Sequence, residues 1–193
     1  MPPDFPGSIA EMQRLLDEPA AAAEWGRRAG LADPLAAHRA LLGLAAHGLT
    51  LDLLAFLSGR LGQLLPAVSD PDRVLVAVER LIGAVRSPLS TGTLFQRDPP
   101  SLDILLKLFS ASPYLADLVI LDPESWEQVR LGQGRPESRQ TLAAALTAET
   151  ALLSEPECVM RALRRFKRRE TLRIAYGDIV GEQRSEEHTS QLQ

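Results

Sequence analysis

Five times along this chain a proline follows a residue able to begin a helix: Asp33-Pro34, Asp70-Pro71, Ser112-Pro113, Asp122-Pro123 and Glu155-Pro156. Each pair stands just before a stretch with helical apolar spacing. Proline at the first helical position loses no intrahelical bond, because that N–H has no partner there. It also pushes the preceding residue towards extended geometry, which suits an N-cap. Asp and Ser side chains then accept from the free N–H groups of the first turn. Glu155 is the weaker cap, so Ser154 shares its role.

These stops divide the chain into nine or ten helices, over about 8–17, 19–29, 34–47, 50–65, 71–86, 101–110, 113–121, 123–131, 137–152 and 156–179. Leu51, Leu53, Leu54, Phe56 and Leu57 show the apolar spacing clearly. Val74, Val76, Val78, Leu81 and Ile82 also permit a strand, but Asp70-Pro71 before them and Glu79-Arg80 among them favour helix. No strand alternation of useful length and no Asn-Gly or Asp-Gly turn occurs. The fold expected is all-α, an array ending in a long basic helix, with no substantial sheet.

Proline, serine, threonine and glycine cluster in "SPLSTGTLFQRDPP", so residues 87–100 read as a linker. It separates an N-terminal helical region, 1–86, of unassigned role from a helical segment, 101–181. "LGQGRPES", 131–138, is a second loop. Gly181 is placed to end the last helix. Residues 182–193 read as a disordered tail, and from Arg184 onward "RSEEHTSQLQ" resembles the translation of a sequencing adapter rather than native protein.

The net charge of −4 is unevenly spread. Seven basic residues and one acid fall between Arg161 and Arg173, leaving 14 basic and 24 acidic residues elsewhere. An acidic body repels backbone phosphates, so DNA is not an expected partner. No apolar run approaches the roughly 20 residues of a membrane span, and the N-terminus lacks the basic start and apolar core of a signal peptide. The single cysteine, Cys158, excludes an internal disulfide and a cysteine-rich metal site. A cytoplasmic protein is the simplest expectation.

Sequence signatures of catalysis are absent. There is no GxxxxGK[ST], GxGxxG after a strand, HExxH or GxSxG. His38 and His47 are nine residues apart on one helix, too far to share a metal, and read as solvated or capping. His188 falls in the tail. Cys158 stands near the start of the basic helix, where a thiolate is favoured, but a small core residue beside Val159 is the simpler role. The pairs Asp70/Asp72 and Glu155/Glu157 occupy first turns, where the helix dipole favours acids. No catalytic, cofactor-binding or metal-binding residue is expected.

"FSASPYLADLVILDPESW", Phe109 to Trp126, reads as two helices about a tight turn. Tyr114, Leu115, Leu118, Val119 and Leu121 give the first a broad apolar face, and Trp126 sits one turn into the second, placed to fold back on it. A DNA-reading helix needs bases on its exposed face; the second helix carries Glu124 and Glu127 against Arg130 alone. In the last helix, Val159, Leu163, Phe166 and Ile174 form one apolar row and Leu172, Ala175, Tyr176 and Ile179 another, so part of its circumference is buried. Its cations can pair with acids of 123–131 and 148–157, at about 0–1 kcal/mol per exposed pair. The candidate docking residues are Arg164, Arg165, Lys167, Arg168, Arg169 and Arg173, facing an acidic or phosphate-bearing partner.

Two stretches together resemble a known family. Phe109, Ser112, Tyr114, Leu115, Ala116, Asp117 and Pro123, then Leu163, Arg164, Phe166, Arg168, Arg169, Glu170, Arg173, Ile174, Asp178 and Gly181, fit the pattern of the glutamine synthetase adenylyltransferase family, N-terminal to its catalytic motif. Lys167 stands where an arginine is usual. The match covers about 105–181. The resemblance implies an enzyme that transfers AMP from ATP to a tyrosine of glutamine synthetase and in many members removes it by phosphorolysis. It implies control by the PII signal protein, in nitrogen regulation. It further implies two nucleotidyltransferase domains that hold Mg²⁺ and ATP through a "GKLGG…SD.DL" motif downstream of the basic helix. That motif is absent from this chain. The chain is therefore expected to be a non-catalytic N-terminal fragment that binds no cofactor itself, with glutamine synthetase, PII and the downstream domain as partners. The alternative is a stand-alone helical interaction module whose basic helix, 161–173, binds an acidic protein or RNA. On the fragment reading some of these arginines should lack partners.

Overall fold

The structure, a computed structural model, describes residues 7–190, with side chains described as far as residue 181. Among these are eleven α-helices, one short 3-10 turn and no strand. The cap-proline signal is used more widely than the five sites above: eight of the eleven α-helices start on proline, adding Glu18-Pro19, Ser87-Pro88 and Asp98-Pro99. Asp33 accepts from the Leu35 N–H, Asp70 from Arg73 and Ser112 from Tyr114, as the sequence leads one to expect.

The chain divides into two compact units, residues 1–123 and 124–193. The first holds α1 (Ile9–Asp17), α2 (Pro19–Arg28), α3 (Pro34–Ala46), α4 (Leu51–Leu64), α5 (Pro71–Ala84), α6 (Pro88–Arg97), α7 (Pro99–Ala111) and α8 (Pro113–Leu121). Helices α2 and α3 pair closely, and α5 packs against α3, α7 and α8. Trp25, Leu41, Leu54, Leu61, Phe95 and Phe109 are fully buried. A side chain of this size contributes about 1.5–3 kcal/mol when removed from water. The valine-rich stretch is helical: Val74, Val78, Leu81 and Ile82 are buried and Val76 is exposed, the spacing of a helix face.

Residues 87–100 are not a linker. They contain helix α6, capped by Ser87, which accepts from the Ser90 N–H. Phe95 is buried, and α6 packs on α4 and α7. Gly92 permits this approach, since a Cβ there would lie 2.9 Å from Leu49 Cδ2 and 3.1 Å from Leu53 Cδ1. The boundary between units falls after Pro123 instead.

His38 and His47 hold helices together. His38 Nε2 donates to the Leu16 carbonyl in the last turn of α1 (2.8 Å), and His47 meets Glu79 at 3.0 Å. Arg73 donates to the Phe109 and Ser110 carbonyls (2.7 and 3.0 Å), closing the end of α7. On α8, Ala116, Leu118 and Val119 are buried, but Tyr114 and Leu121 lie 55% and 68% exposed, so its apolar face is narrower than expected. Asp117 meets Arg80 of α5 at 3.0 Å.

The second unit contains α9 (Pro123–Leu131, its first residue in unit 1), α10 (Arg139–Thr150) and α11 (Pro156–Ser190). Helix α11 continues past Gly181, where a cap and the start of a disordered tail were expected. Positive φ among the glycines is confined to Gly30, Gly48 and Gly134, so no left-handed turn stops α11 at Gly181. Residues 191–193 of that tail, and the side chains from 182 that carry the adapter resemblance, lie outside the described residues.

Candidate docking site on the basic helix

The functional candidates all lie on α11, which two contacts fix in place within its unit. The Trp126 ring of α9 meets Tyr176 with centroids 5.4 Å apart and planes tilted by 58°. The loop after α9 lies on the α11 backbone at a glycine-glycine crossing. Gly134 has φ 61°, and a Cβ on Gly177 would sit 2.6 Å from the Gly134 carbonyl oxygen. Arg173 Nη1 then donates to the Arg135 carbonyl (2.7 Å). Only glycine allows backbones this close at a left-handed position. Gly134 falls in the loop read over 131–138, but Gly177 drew no attention in the sequence, although a glycine inside a helical pattern weakens the helix and often has a packing reason.

Among the described side chains of α11, Leu172 and Tyr176 are the buried ones, and they define its inner face. Ile174, expected in an apolar row, is 57% exposed. It stands two residues from each, roughly 200° around the helix.

The cations divide by face. Arg173 Nε contacts Glu170 at 2.6 Å. Arg169 Nη2 contacts Glu149 of α10 at 2.6 Å, its Nε lies 3.8 Å from Glu170, and its guanidinium stands 5.1 Å from the Phe166 ring centroid. Arg165 reaches Glu124 of α9 at 3.9 Å. The expected pairing with acids of α9 and α10 is thus present. Arg168 Nε donates to the Arg164 carbonyl of its own helix (3.3 Å). Arg161, Arg164 and Lys167 are exposed and have no side-chain hydrogen bond or ion pair among the described residues. The six residues named from sequence therefore do not form one patch: Arg169 and Arg173 are committed within the unit, and Arg164 and Lys167 point to solvent.

What the structure brings together is a different set. Arg161, Arg165 and Arg169, four residues apart, form one ridge along a groove of about 480 Å³. Gln128 of α9, Glu149 of α10, Leu153 of the following turn and Cys158 complete most of its lining. Arg161 was not among the docking residues, though its i, i+4, i+8 relation to the other two was open to view. Cys158 is half-buried in this groove rather than in a core. Among the described residues no three His, Cys, Asp or Glu side chains converge to hold a metal, so no Mg²⁺ site is assigned to them. None of their helices is long and apolar enough to cross a membrane.

These features define the class: an all-α chain that presents a cation-rich helix and a positively lined groove. The family model described as glutamate-ammonia ligase adenylyltransferase matches residues 102–193. Three curated relatives, each named bifunctional glutamine synthetase adenylyltransferase/adenylyl-removing enzyme, agree. The protein of Pseudomonas putida is 31% identical over 80% of this chain and 17% of its own length. That of Xanthomonas axonopodis pv. citri is 30% identical over 97% and 20%, and that of Thioalkalivibrio sulfidiphilus 31% over 63% and 14%. No solved structure matches. The chain belongs to the glutamine synthetase adenylyltransferase family, and it spans about a seventh to a fifth of the length of these relatives.

Proposed function

We propose that this chain is a non-catalytic helical part of a cytoplasmic enzyme that adds AMP from ATP to a tyrosine of glutamine synthetase and removes it by phosphorolysis, in nitrogen regulation under PII. The observation that carries this reading is the family match through the basic helix, 102–193, in a chain with no nucleotide or metal motif. ATP and Mg²⁺ bind elsewhere in the longer polypeptide. The role of α11 is to seat the nucleotidyltransferase domain that follows it in the family. Arg161, Arg164 and Lys167, the exposed cations without partners here, are its contacts.

The chain incubated with ATP, Mg²⁺ and glutamine synthetase should give no AMP transfer; turnover above background refutes the reading. A stand-alone module predicts instead a strongly salt-dependent affinity for single-stranded RNA, since cation–phosphate contacts release counterions. Binding unchanged between low and physiological salt counts against that alternative.

A further inference from the structure

Helix α11 before Leu172 buries no residue on any face. Helices of this length draw most of their stability from burying an apolar face. On the side turned away from Leu172 and Tyr176 runs a row of six: Met160, Arg164, Lys167, Thr171, Ile174 and Asp178. All are exposed except the half-buried Thr171, whose hydroxyl donates to the Lys167 carbonyl at 2.9 Å and needs no outside partner. The steps alternate four and three residues, the spacing that keeps one stripe of a helix against a second helix. Met160 and Ile174, two heptads apart, are 47% and 57% exposed; among the described residues they are the large apolar side chains that α11 exposes. Arg164, Lys167 and Asp178 have no side-chain hydrogen bond or ion pair among the described residues. Arg161 and Arg168 flank the row, one heptad apart. Arg161 is likewise unpartnered among the described residues, and Arg168 meets only the Arg164 carbonyl.

The geometry points to a second helix lying along this outer row, and we infer that an acidic amphipathic helix docks there. The inference rests on the seating role proposed above and names the chemistry of that contact. Arg161, Arg164, Lys167 and Arg168 lie within about two turns and meet no carboxylate among the described residues, so the occupant supplies the acids. Met160 before these cations and Ile174 after them ask for apolar side chains at matching heptad positions, and Asp178 asks for a base beyond. Charges on such a seam and beside it select the partner and fix its register. A phosphate backbone matches the cations alone. A helix beside α11 matches the two-heptad interval from Met160 to Ile174 as well. On the seating reading the longer polypeptide supplies this helix.

The probe is a fluorescein-labelled synthetic three-heptad helix with Leu facing Met160 and Ile174, Glu facing the four cations, and Lys facing Asp178. Its fluorescence anisotropy should show saturable binding to the chain. Arg164→Glu combined with Lys167→Glu should weaken that binding about a hundred-fold, by turning attraction into repulsion at two seam positions. Ile174→Ser should weaken it about five-fold, by removing apolar packing alone. These three side chains are exposed and make no hydrogen bond or ion pair that the substitutions break, so folding, checked by circular dichroism, should persist. Arg139→Glu, at an exposed α10 position off the row, should leave the affinity unchanged. A peptide with Lys in place of those Glu residues should bind the double variant better than the parent chain. No binding, binding that Ile174→Ser leaves unaltered, tighter binding of single-stranded RNA than of the peptide, or self-association of the chain that competes with the peptide overturns the inference. AMP transfer by the isolated chain would defeat the proposed function without touching this binding, and failure of the peptide to bind would leave the AMP-transfer result unchanged.

Discussion

The two units are built from the same kind of helix but hold together differently. In residues 1–123 nearly every helix closes over large buried side chains such as Trp25, Leu61, Phe95 and Phe109. In residues 124–181 α10 buries nothing; it meets α11 through the Glu149–Arg169 ion pair, and within α11 the same guanidinium stands over the half-buried Phe166 ring. The first unit is stabilised by what it buries, whereas in the second α10 and the part of α11 before Leu172 bury no residue. Low local stability is a usual property of elements that engage partners.

Truncation should expose this difference most strongly. Phe109→Ala should cost about 3–5 kcal/mol in denaturant unfolding, the range for a buried aromatic. Phe166→Ala in α11 should cost well under about 1.5 kcal/mol, since its ring is half-exposed. Similar losses at the two positions would break the comparison.

Next in size is the glycine crossing. Gly177→Ala places a methyl 2.6 Å from a backbone oxygen that no side-chain rotation relieves, and should cost about 1–3 kcal/mol. The loss should appear in hydrogen exchange of 124–181 and leave α4 and α5 unchanged. Arg169→Ala should cost about 1 kcal/mol, from a contact with Glu149 that is 20% and 33% exposed on its two sides, discounted for solvent. A double-mutant cycle with Glu149→Ala checks that this loss belongs to the pair.

The smallest effect is a pH response in the first unit. Glu11 accepts from the Gly7 N–H, the Ser8 hydroxyl and the Ser8 N–H, and these bonds hold its carboxyl below the usual range. A depressed pKa stabilises the fold above the unfolded value. That contribution is lost as pH falls through the lower folded value. The first turn of α1 should therefore fray in acid, seen in its backbone amide signals, and Ser8→Ala should shift that fraying to higher pH.

Much of this architecture was legible. Helix starts follow from caps and prolines, because those residues act within one turn and need no tertiary partner. The linker reading of 87–100 failed where local and tertiary signals conflict: polar residues cluster there, but Phe95 and Gly92 pack against α4. The basic helix was legible as composition and not as geometry. Counting cations cannot separate Arg173, held by Glu170 and the Arg135 carbonyl, from Arg161, which faces a groove. Only the acids and carbonyls of the neighbouring chain make that division.

Residue-resolved native-state hydrogen exchange of the whole chain tests the contrast between units most directly. Amides of α5 and α7 should exchange only by global unfolding, while those of α10 should exchange at least about a hundred-fold faster through local opening. Protection of α10 equal to that of α7 would contradict it.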